Sequence, residues 1–84
     1  MNNKVLVNMY VPILERKYEI FLPANKTIGE IIILVSKVLT ELSNNHYSYQ
    51  NIERIYNKYT GVEYELDKTL KDTDIRNGSE LIFI

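Results

Sequence analysis

The stretch TLKDTDIRNGSELIFI, residues 69–84, decides the fold. Its first part is rich in Asp, Asn and Gly, which suit turns, and its last part, SELIFI, predicts a strand. The apolar character of LIFI is typical of a strand buried in the middle of a sheet. We expect this strand to lie beside the first strand of the chain and to run parallel to it, because a helix would join the two.

The N-terminal half supplies the two strands and the helix that this arrangement needs. Apolar residues alternate over 5–11 and again over 18–22, with PILERK, 12–17, as a hairpin loop. Thr27 and Glu30 form a capping-box pattern at the start of a helix that stops at SNN, 43–45. A buried strand over 31–35 is the alternative, since that run is β-branched, but helical spacing persists beyond it. The apolar stripe of the helix comprises Ile28, Ile31, Ile32, Val35, Val38, Leu39 and Leu42.

The region after the helix predicts a loop and two further strands. HYSYQN is the loop, IERIYNKY at 52–59 is the third strand, and VEYEL at 62–66 is a short fourth strand after a turn at 60–61. The predicted order is ββαβββ in a single domain, 1–84. This α+β order predicts one helix packed across one face of a mixed sheet.

Composition excludes several classes of protein. The chain has 84 residues, with ten basic and eleven acidic residues and a net charge of −1, so it lacks the basic excess of a general nucleic-acid binder. It has no cysteine, which excludes disulfides. The longest apolar run, IIILV at 31–35, is far shorter than the ~20 residues of a membrane span. We expect a soluble, cytoplasmic protein without membrane insertion.

No pattern of catalytic or metal-binding residues stands out. His46 is the only histidine and lies in the NNHYSY loop, where a solvated side chain is the ordinary interpretation. DTDIRNG, 72–78, fails as a calcium loop, because the twelfth position from Asp72 is Phe83 where a bidentate Glu belongs. We therefore expect no enzymatic activity, no metal and no cofactor. Seven tyrosines leave an RNA-binding module open as an alternative, although no basic stripe accompanies them.

The closing segment resembles that of ubiquitin. Thr69, Leu70, Asp72, Ile75 and Leu81 carry the likeness, and Thr27 with Ile28 stands where the helix of ubiquitin begins. The resemblance covers nearly the whole chain and implies the ubiquitin-like β-grasp fold, which hosts many activities. The core positions that it implies are Ile20, Leu22, Ile28, Ile31, Val35, Leu66, Leu70, Ile75, Leu81 and Phe83.

The C-terminal residues differ from those of ubiquitin and the sulfur carriers. In these relatives a flexible Gly-Gly tail follows the last strand and is joined to a target or to sulfur. Ile84 falls about where the last strand of ubiquitin ends, and Gly61 and Gly78 read as turn glycines. If Ile84 is the native terminus, we expect a protein that is not conjugated to targets.

Within this fold the chain is similar to the YukD/EsaB type, the small ubiquitin-like proteins of bacterial type VII secretion systems. Asp72, Ile75, Asn77, Gly78 and Leu81 match their closing pattern, whereas Ser79 departs from the usual Asp. The resemblance implies a cytoplasmic accessory or regulatory component of a secretion apparatus driven by an ATPase. The expected partners are the secretion ATPase or other secretion components. An excised ubiquitin-like domain of a larger membrane secretion protein is the alternative.

Strand parity predicts the partner-binding surface. If alternate residues such as Val7, Ile20 and Phe83 face the helix, their neighbours face away from it. These neighbours include several apolar residues, although a solvent-facing sheet is normally polar there, and such a patch often binds a partner or a second copy of the chain. The simpler alternative is that β propensity alone placed them there. We expect the apolar ones to form one adjacent row: Leu6, Tyr10, Phe21, Tyr56, Ile82 and Ile84, with Ile33 and Leu34 on the helix as a secondary surface.

Overall fold

The computed structural model describes residues 3–84, which form a four-stranded mixed sheet with one helix packed against one face. The elements are β1 (Lys4–Val11), β2 (Arg16–Pro23), α1 (Ile28–Leu42), β3 (Ile55–Asn57) and β4 (Glu80–Phe83). The strand order is β2-β1-β4-β3, with β1 and β4 parallel and the two outer pairs antiparallel. The predicted α+β β-grasp class and the central position of the last strand are confirmed.

The first two strands form a hairpin that is longer than the sequence predicted. β1 and β2 pair along their whole length, from Lys4 opposite Pro23 to Val11 opposite Arg16. The connection is a single 3-10 turn, Pro12–Leu14, followed by Glu15 in the left-handed region at φ 52°. β2 therefore begins inside the segment that we predicted as a loop, because this compact turn needs only four residues.

The start of α1 is the predicted capping box. The Thr27 hydroxyl accepts a hydrogen bond from the Glu30 amide at 3.2 Å, and the Glu30 carboxylate accepts one from the Thr27 amide at 2.9 Å. Two amide groups that the helix leaves without a partner are thereby satisfied. Hydrogen bonds from the Thr27 amide and from the Thr27 hydroxyl, with the charge of Lys26, hold the pKa of the Glu30 carboxyl below its ordinary value despite some desolvation.

Thr27→Ala should lower the free energy of unfolding by about 1 kcal/mol, because the variant loses the side-chain cap. Urea denaturation of both proteins measures the difference. Thr27→Ser keeps the hydroxyl and is the matched control, which we expect to remain within about 0.5 kcal/mol of the parent. Equal losses in the two variants would mean that the cap is not what Thr27 contributes.

The core lies between α1 and the inner face of the sheet. The strand residues that the alternation predicted to face the helix do so. Each of the four strands buries inward side chains, such as Val7, Ile20 and Phe83, whereas Phe21 on the opposite face is 57% exposed. On the helix the buried stripe ends at Leu39, and Leu42 is exposed at the rim of a hollow beside Leu14 and Tyr18. The stripe is thus one turn shorter than predicted, since the chain turns away through Asn44 and Asn45, both at positive φ.

The predicted fourth strand at 62–66 is wrong, and so is the ββαβββ order. Glu63 makes one isolated bridge to Tyr56. The third strand was predicted over 52–59, but the observed strand comprises only Ile55–Asn57. Leu66, expected in the core, is 38% exposed, and Tyr64 is the buried residue of this segment. The Tyr64 hydroxyl donates to Asp74 at 2.8 Å.

The segment leaves the sheet because its backbone carbonyl groups accept hydrogen bonds from the helix. The Leu66 carbonyl accepts from the Gly29 amide at 3.0 Å, and the Lys68 carbonyl accepts from the Ile28 amide at 2.9 Å. These are amide groups of the first turn of α1, which have no partner within the helix. The approach is close: a Cβ on Gly29 would lie 3.4 Å from the Leu66 carbonyl oxygen. The chain therefore pairs with β3 only around Glu63 and then turns towards the start of the helix.

Candidate protein-binding surface

Three residues form an apolar row across the outer face of the sheet. Tyr10 on β1 lies beside Ile82 on β4, and Ile82 lies opposite Tyr56 on β3. All three side chains are half-buried, and we call them the tyrosine row. The row continues to charged residues of opposite sign, because Lys17 pairs with Tyr10 and Glu63 bridges to Tyr56.

A polar row runs beside the tyrosine row and is centred on Glu80. Asn8 donates from Nδ2 to Glu80 Oε2 at 2.8 Å. The Nζ atoms of Lys17 and Lys58 lie 3.6 and 4.0 Å from the buried Oε1, which has no hydrogen bond and is compensated by these two charges. Glu19 lies opposite Asn8 and completes the row.

The polar row divides the predicted partner surface, so the expectation of one adjacent row is wrong. Leu6 and Phe21 pair with each other on the far side of Asn8, away from the tyrosine row. No β4 residue lies beside Leu6, because its carbonyl accepts from Gly78 at 2.8 Å and its amide donates to Asn77 at 2.8 Å. The turn before β4 therefore occupies that place, and strand register separates residues that share a face.

Phe21 also borders a groove between β2 and α1, at the edge of the sheet that β2 forms. We call this the β2 groove, and Leu34, 41% exposed, lies in its opposite wall. Ile33, the other residue of the predicted secondary surface, lines a different hollow with Tyr49 and Leu66. The helix pair is thus split, because adjacent helical positions point about 100° apart. The β2 groove is lined by Lys4, Ile20, Phe21, Leu22, Pro23, Leu34, Val35, Lys37 and Val38.

Ile84 lies at a small apolar pocket at the end of the sheet. Ile13 and Ile52, exposed by 78% and 74%, share its rim, and Phe83 and Tyr47 form its floor. The rings of Tyr47 and Phe83 are 6.0 Å apart, a favourable aromatic distance. The sequence did not reveal either as a surface residue: Ile13 lies in the hairpin turn, and Ile52 was placed at the start of the predicted third strand, which in the structure begins only at Ile55.

The buried Glu53 carboxylate shapes the loop beside this pocket. It accepts hydrogen bonds from the Tyr47 hydroxyl, from the Gln50 amide at 2.7 Å and from the Ile52 amide at 3.1 Å. Burial acts to raise the pKa of the Glu53 carboxyl, but these bonds outweigh it and hold the pKa below its ordinary value. Burial, aided by the Glu53 carboxylate, raises the pKa of the Tyr47 hydroxyl well above its ordinary value. No sequence pattern had singled out Glu53.

Residues 3–84 were also searched for a catalytic histidine, a metal site and a membrane-spanning helix. His46 is exposed and borders the hollow beside Leu42. Within that described range no group of three His, Asp or Glu side chains is placed to hold a metal ion. Nor does the described chain contain a helix of the length and hydropathy needed to cross a membrane.

Comparison with known proteins identifies the fold. No protein-family model matches the sequence, and neither does any curated protein. The ubiquitin-like domain of EccD1, a Mycobacterium tuberculosis type VII secretion protein, superposes with a TM-score of 0.77 at 19% identity over 100% of this chain and 99% of that domain. The EccD5 ubiquitin-like domain of Mycobacterium xenopi gives 0.72 at 13% identity, covering 99% and 94%.

A third similar structure is a much longer chain. It comes from an ESX-5 inner membrane complex and superposes with a TM-score of 0.71 at 16% identity, covering 99% of this chain but 21% of that one. Identities this low establish shared architecture only. These superpositions, together with the strand order and the capped helix, show that this chain has the ubiquitin-like β-grasp fold.

Proposed function

We propose that this chain is a non-catalytic protein-binding module that acts in a bacterial type VII secretion system. The tyrosine row carries the proposal, because two tyrosines and an isoleucine stand together on the face of the sheet that no helix covers. Tyrosine side chains are enriched at binding hot spots, where they supply large contact area with little entropy loss. The likeness to EccD ubiquitin-like domains supports the secretion context.

The charges around the tyrosine row favour a specific protein partner. Lys17 and Lys58 are both engaged with Glu80, and Arg54 lies 3.6 Å from Glu63. Charges held in place at the rim of an apolar patch contribute to orientation and partner choice more than to affinity. The partner is the secretion ATPase or another secretion component, and a second copy of this chain could occupy the same face.

The proposed place of action is the cytoplasmic side of the secretion apparatus, as an accessory or regulatory component of the YukD/EsaB type. A second candidate is a ubiquitin-like domain within a larger membrane secretion protein. That candidate is supported by the ESX-5 chain, of which this fold makes up about a fifth. The two candidates differ in the length of the gene product, which an intact-mass measurement from native cells decides.

Ile82→Glu should weaken partner binding by roughly 30-fold or more, equivalent to about 2 kcal/mol, because it places a charge in the centre of the tyrosine row. The measurement is affinity purification from cells that carry the secretion system, followed by titration of each recovered component. We expect the parent protein to retain secretion components that the variant loses.

Val62→Glu is the matched control, because Val62 is an exposed apolar residue outside the tyrosine row. It should bind as the parent does, and thermal unfolding should show that both variants keep the fold. Equal retention of secretion components by Ile82→Glu and the parent would contradict the proposal. Recovery of RNA in place of protein, released by salt, would support the RNA-binding alternative.

A further inference from the structure

We propose that a hollow at the C-terminal end of α1 binds a carboxylate group attached to a small apolar body, as found at the end of a polypeptide or in a short branched acid. The hollow has a volume of about 270 Å³ and is lined by Leu14, Arg16, Tyr18, Leu42, Ser43, Asn44 and His46. We call it the Arg16 hollow. It shares no lining residue with the tyrosine row or with the β2 groove, so this inference does not depend on the proposed function.

The Arg16 hollow exists because α1 ends before it covers the start of β2. Strand parity places Arg16 and Tyr18 on the same side of the sheet as the buried Ile20, which faces the helix. The helix ends at Leu42, and the chain then turns away through Asn44 at φ 54°. The side chains at the start of β2 therefore border an open hollow where a longer helix would have packed.

Arg16 gives the hollow its positive charge. The guanidinium groups of the other two arginines are engaged, because Arg54 forms an ion pair at 3.6 Å and Arg76 donates to backbone carbonyl groups at 2.7 Å. The Arg16 guanidinium forms no hydrogen bond or ion pair with residues 3–84. Asn44 and His46 add side-chain donors, and among the described residues no carboxylate lines the hollow. An arginine fork with free donors matches the geometry of a carboxylate.

The end of a helix normally disfavours an anion, because its last carbonyl groups carry partial negative charge. At the end of α1 four of these carbonyl groups already accept backbone hydrogen bonds from the residues that follow, at 2.8–3.2 Å. The acceptor and donor pairs are Leu39 with Ser43, Thr40 with Asn45, Glu41 with Asn44 and Ser43 with His46. These bonds reduce the repulsion that the helix end would exert on a carboxylate in the hollow.

Two leucines select the apolar body of the ligand. Leu42 is 53% exposed although it continues the apolar stripe of α1, and Leu14 of the hairpin turn is half-buried. A bare inorganic anion would leave both side chains in water, whereas an apolar body would cover them. The volume lies below the roughly 300–1,000 Å³ of sites for drug-sized ligands, so it suits a group about the size of one amino-acid residue.

The test is an NMR titration of the intact protein with N-acetyl-leucine. We expect a dissociation constant on the order of 1 mM, since the ligand is small, with amide shifts concentrated at residues 14–18 and 42–46. N-acetyl-leucinamide lacks the carboxylate and is the matched control, which should bind roughly tenfold more weakly or less well still. A third probe, 4-methylpentanoate, keeps the carboxylate and the apolar body. Equal binding by it supports a free acid as the ligand, and weaker binding supports the end of a polypeptide.

Variants test the two parts of the Arg16 hollow. Arg16→Gln should weaken N-acetyl-leucine roughly tenfold or more, and Arg16→Lys should recover part of the affinity, because it restores the charge without the fork. Leu42→Ala should weaken it by roughly threefold through lost apolar contact. Lys71→Gln removes an exposed charge outside the hollow and, like Ile82→Glu, should leave the affinity unchanged.

Thermal unfolding of each variant shows that the fold is kept. Equal binding of N-acetyl-leucinamide, or unchanged affinity in folded Arg16→Gln, would overturn the proposal. Inorganic phosphate that bound as tightly as N-acetyl-leucine would also overturn it, because the apolar body would then contribute nothing. The same holds if no shift appears at ten times the expected dissociation constant.

Discussion

Leu81→Ala is expected to lower the free energy of unfolding by about 2–5 kcal/mol. Leu81 is fully buried on the central strand β4, beside Met9 on one neighbouring strand and opposite Asn57 on the other. Truncation removes apolar contacts and leaves a cavity that paired strands on both sides cannot close. A domain of this size has a total stability near 5–15 kcal/mol, so the variant loses a large fraction of it. Urea denaturation monitored by circular dichroism measures the loss.

Leu66→Ala is the control for this expectation. The ubiquitin resemblance places Leu66 in the core, but its side chain is 38% exposed. The structure therefore predicts a loss below about 1 kcal/mol, since little apolar surface returns to water. If the two alanine variants lost equal stability, Leu66 would belong to the core and the observed path of residues 62–66 would be wrong.

Local signals predicted most of the fold. The capping box of Thr27 and Glu30 was visible because both partners lie within four residues of each other. Alternation in β1, β2 and β4 assigned inward and outward faces, because strand parity needs no knowledge of neighbouring strands. The apolar character of LIFI predicted the central placement of β4 beside β1, and the resemblance to ubiquitin agrees with it.

Register was the first thing that the sequence did not reveal. Parity places Leu6, Asn8 and Tyr10 on one face, but only the register shows that Asn8 lies between Glu19 and Glu80 in a polar row across three strands. Register depends on partners more than seventy positions away, which no short window contains. The same holds for Phe21 and Leu34, whose common groove depends on how the helix lies across β2.

The second feature that the sequence did not reveal was which backbone carbonyl groups accept hydrogen bonds from the helix. VEYEL alternates like a strand, yet its chain turns to offer carbonyl groups to the first turn of α1. Alternation in such a short segment cannot show which donors need those carbonyls, and here the helix amides prevail over β pairing. The sequence also did not reveal the hydrogen bond between Tyr47 and Glu53, because an acidic residue in a loop usually remains in water.

Glu53→Gln should lower the free energy of unfolding by about 2–4 kcal/mol at neutral pH, because an amide cannot accept from all three donors that the carboxylate satisfies. The Tyr47 hydroxyl and the Gln50 amide both donate to Oε2, whereas the Ile52 amide donates to Oε1, so a Gln side chain would leave at least one of these donors facing an NH2 group. The loss should also depend on pH. The folded pKa of Glu53 lies below its ordinary value of 4.5, so its stabilising contribution is present above that pH.

As pH falls through the folded pKa, protonation removes that contribution from the parent but not from the variant. The two urea denaturation curves should therefore be well separated near pH 7 and converge as the pH falls through the lowered folded pKa. Glu41→Gln is the control, because Glu41 is exposed on α1, and it should stay within about 0.5 kcal/mol of the parent. A separation between Glu53→Gln and the parent that stayed constant down to low pH would mean that packing, rather than the charge of the carboxylate, holds this loop together.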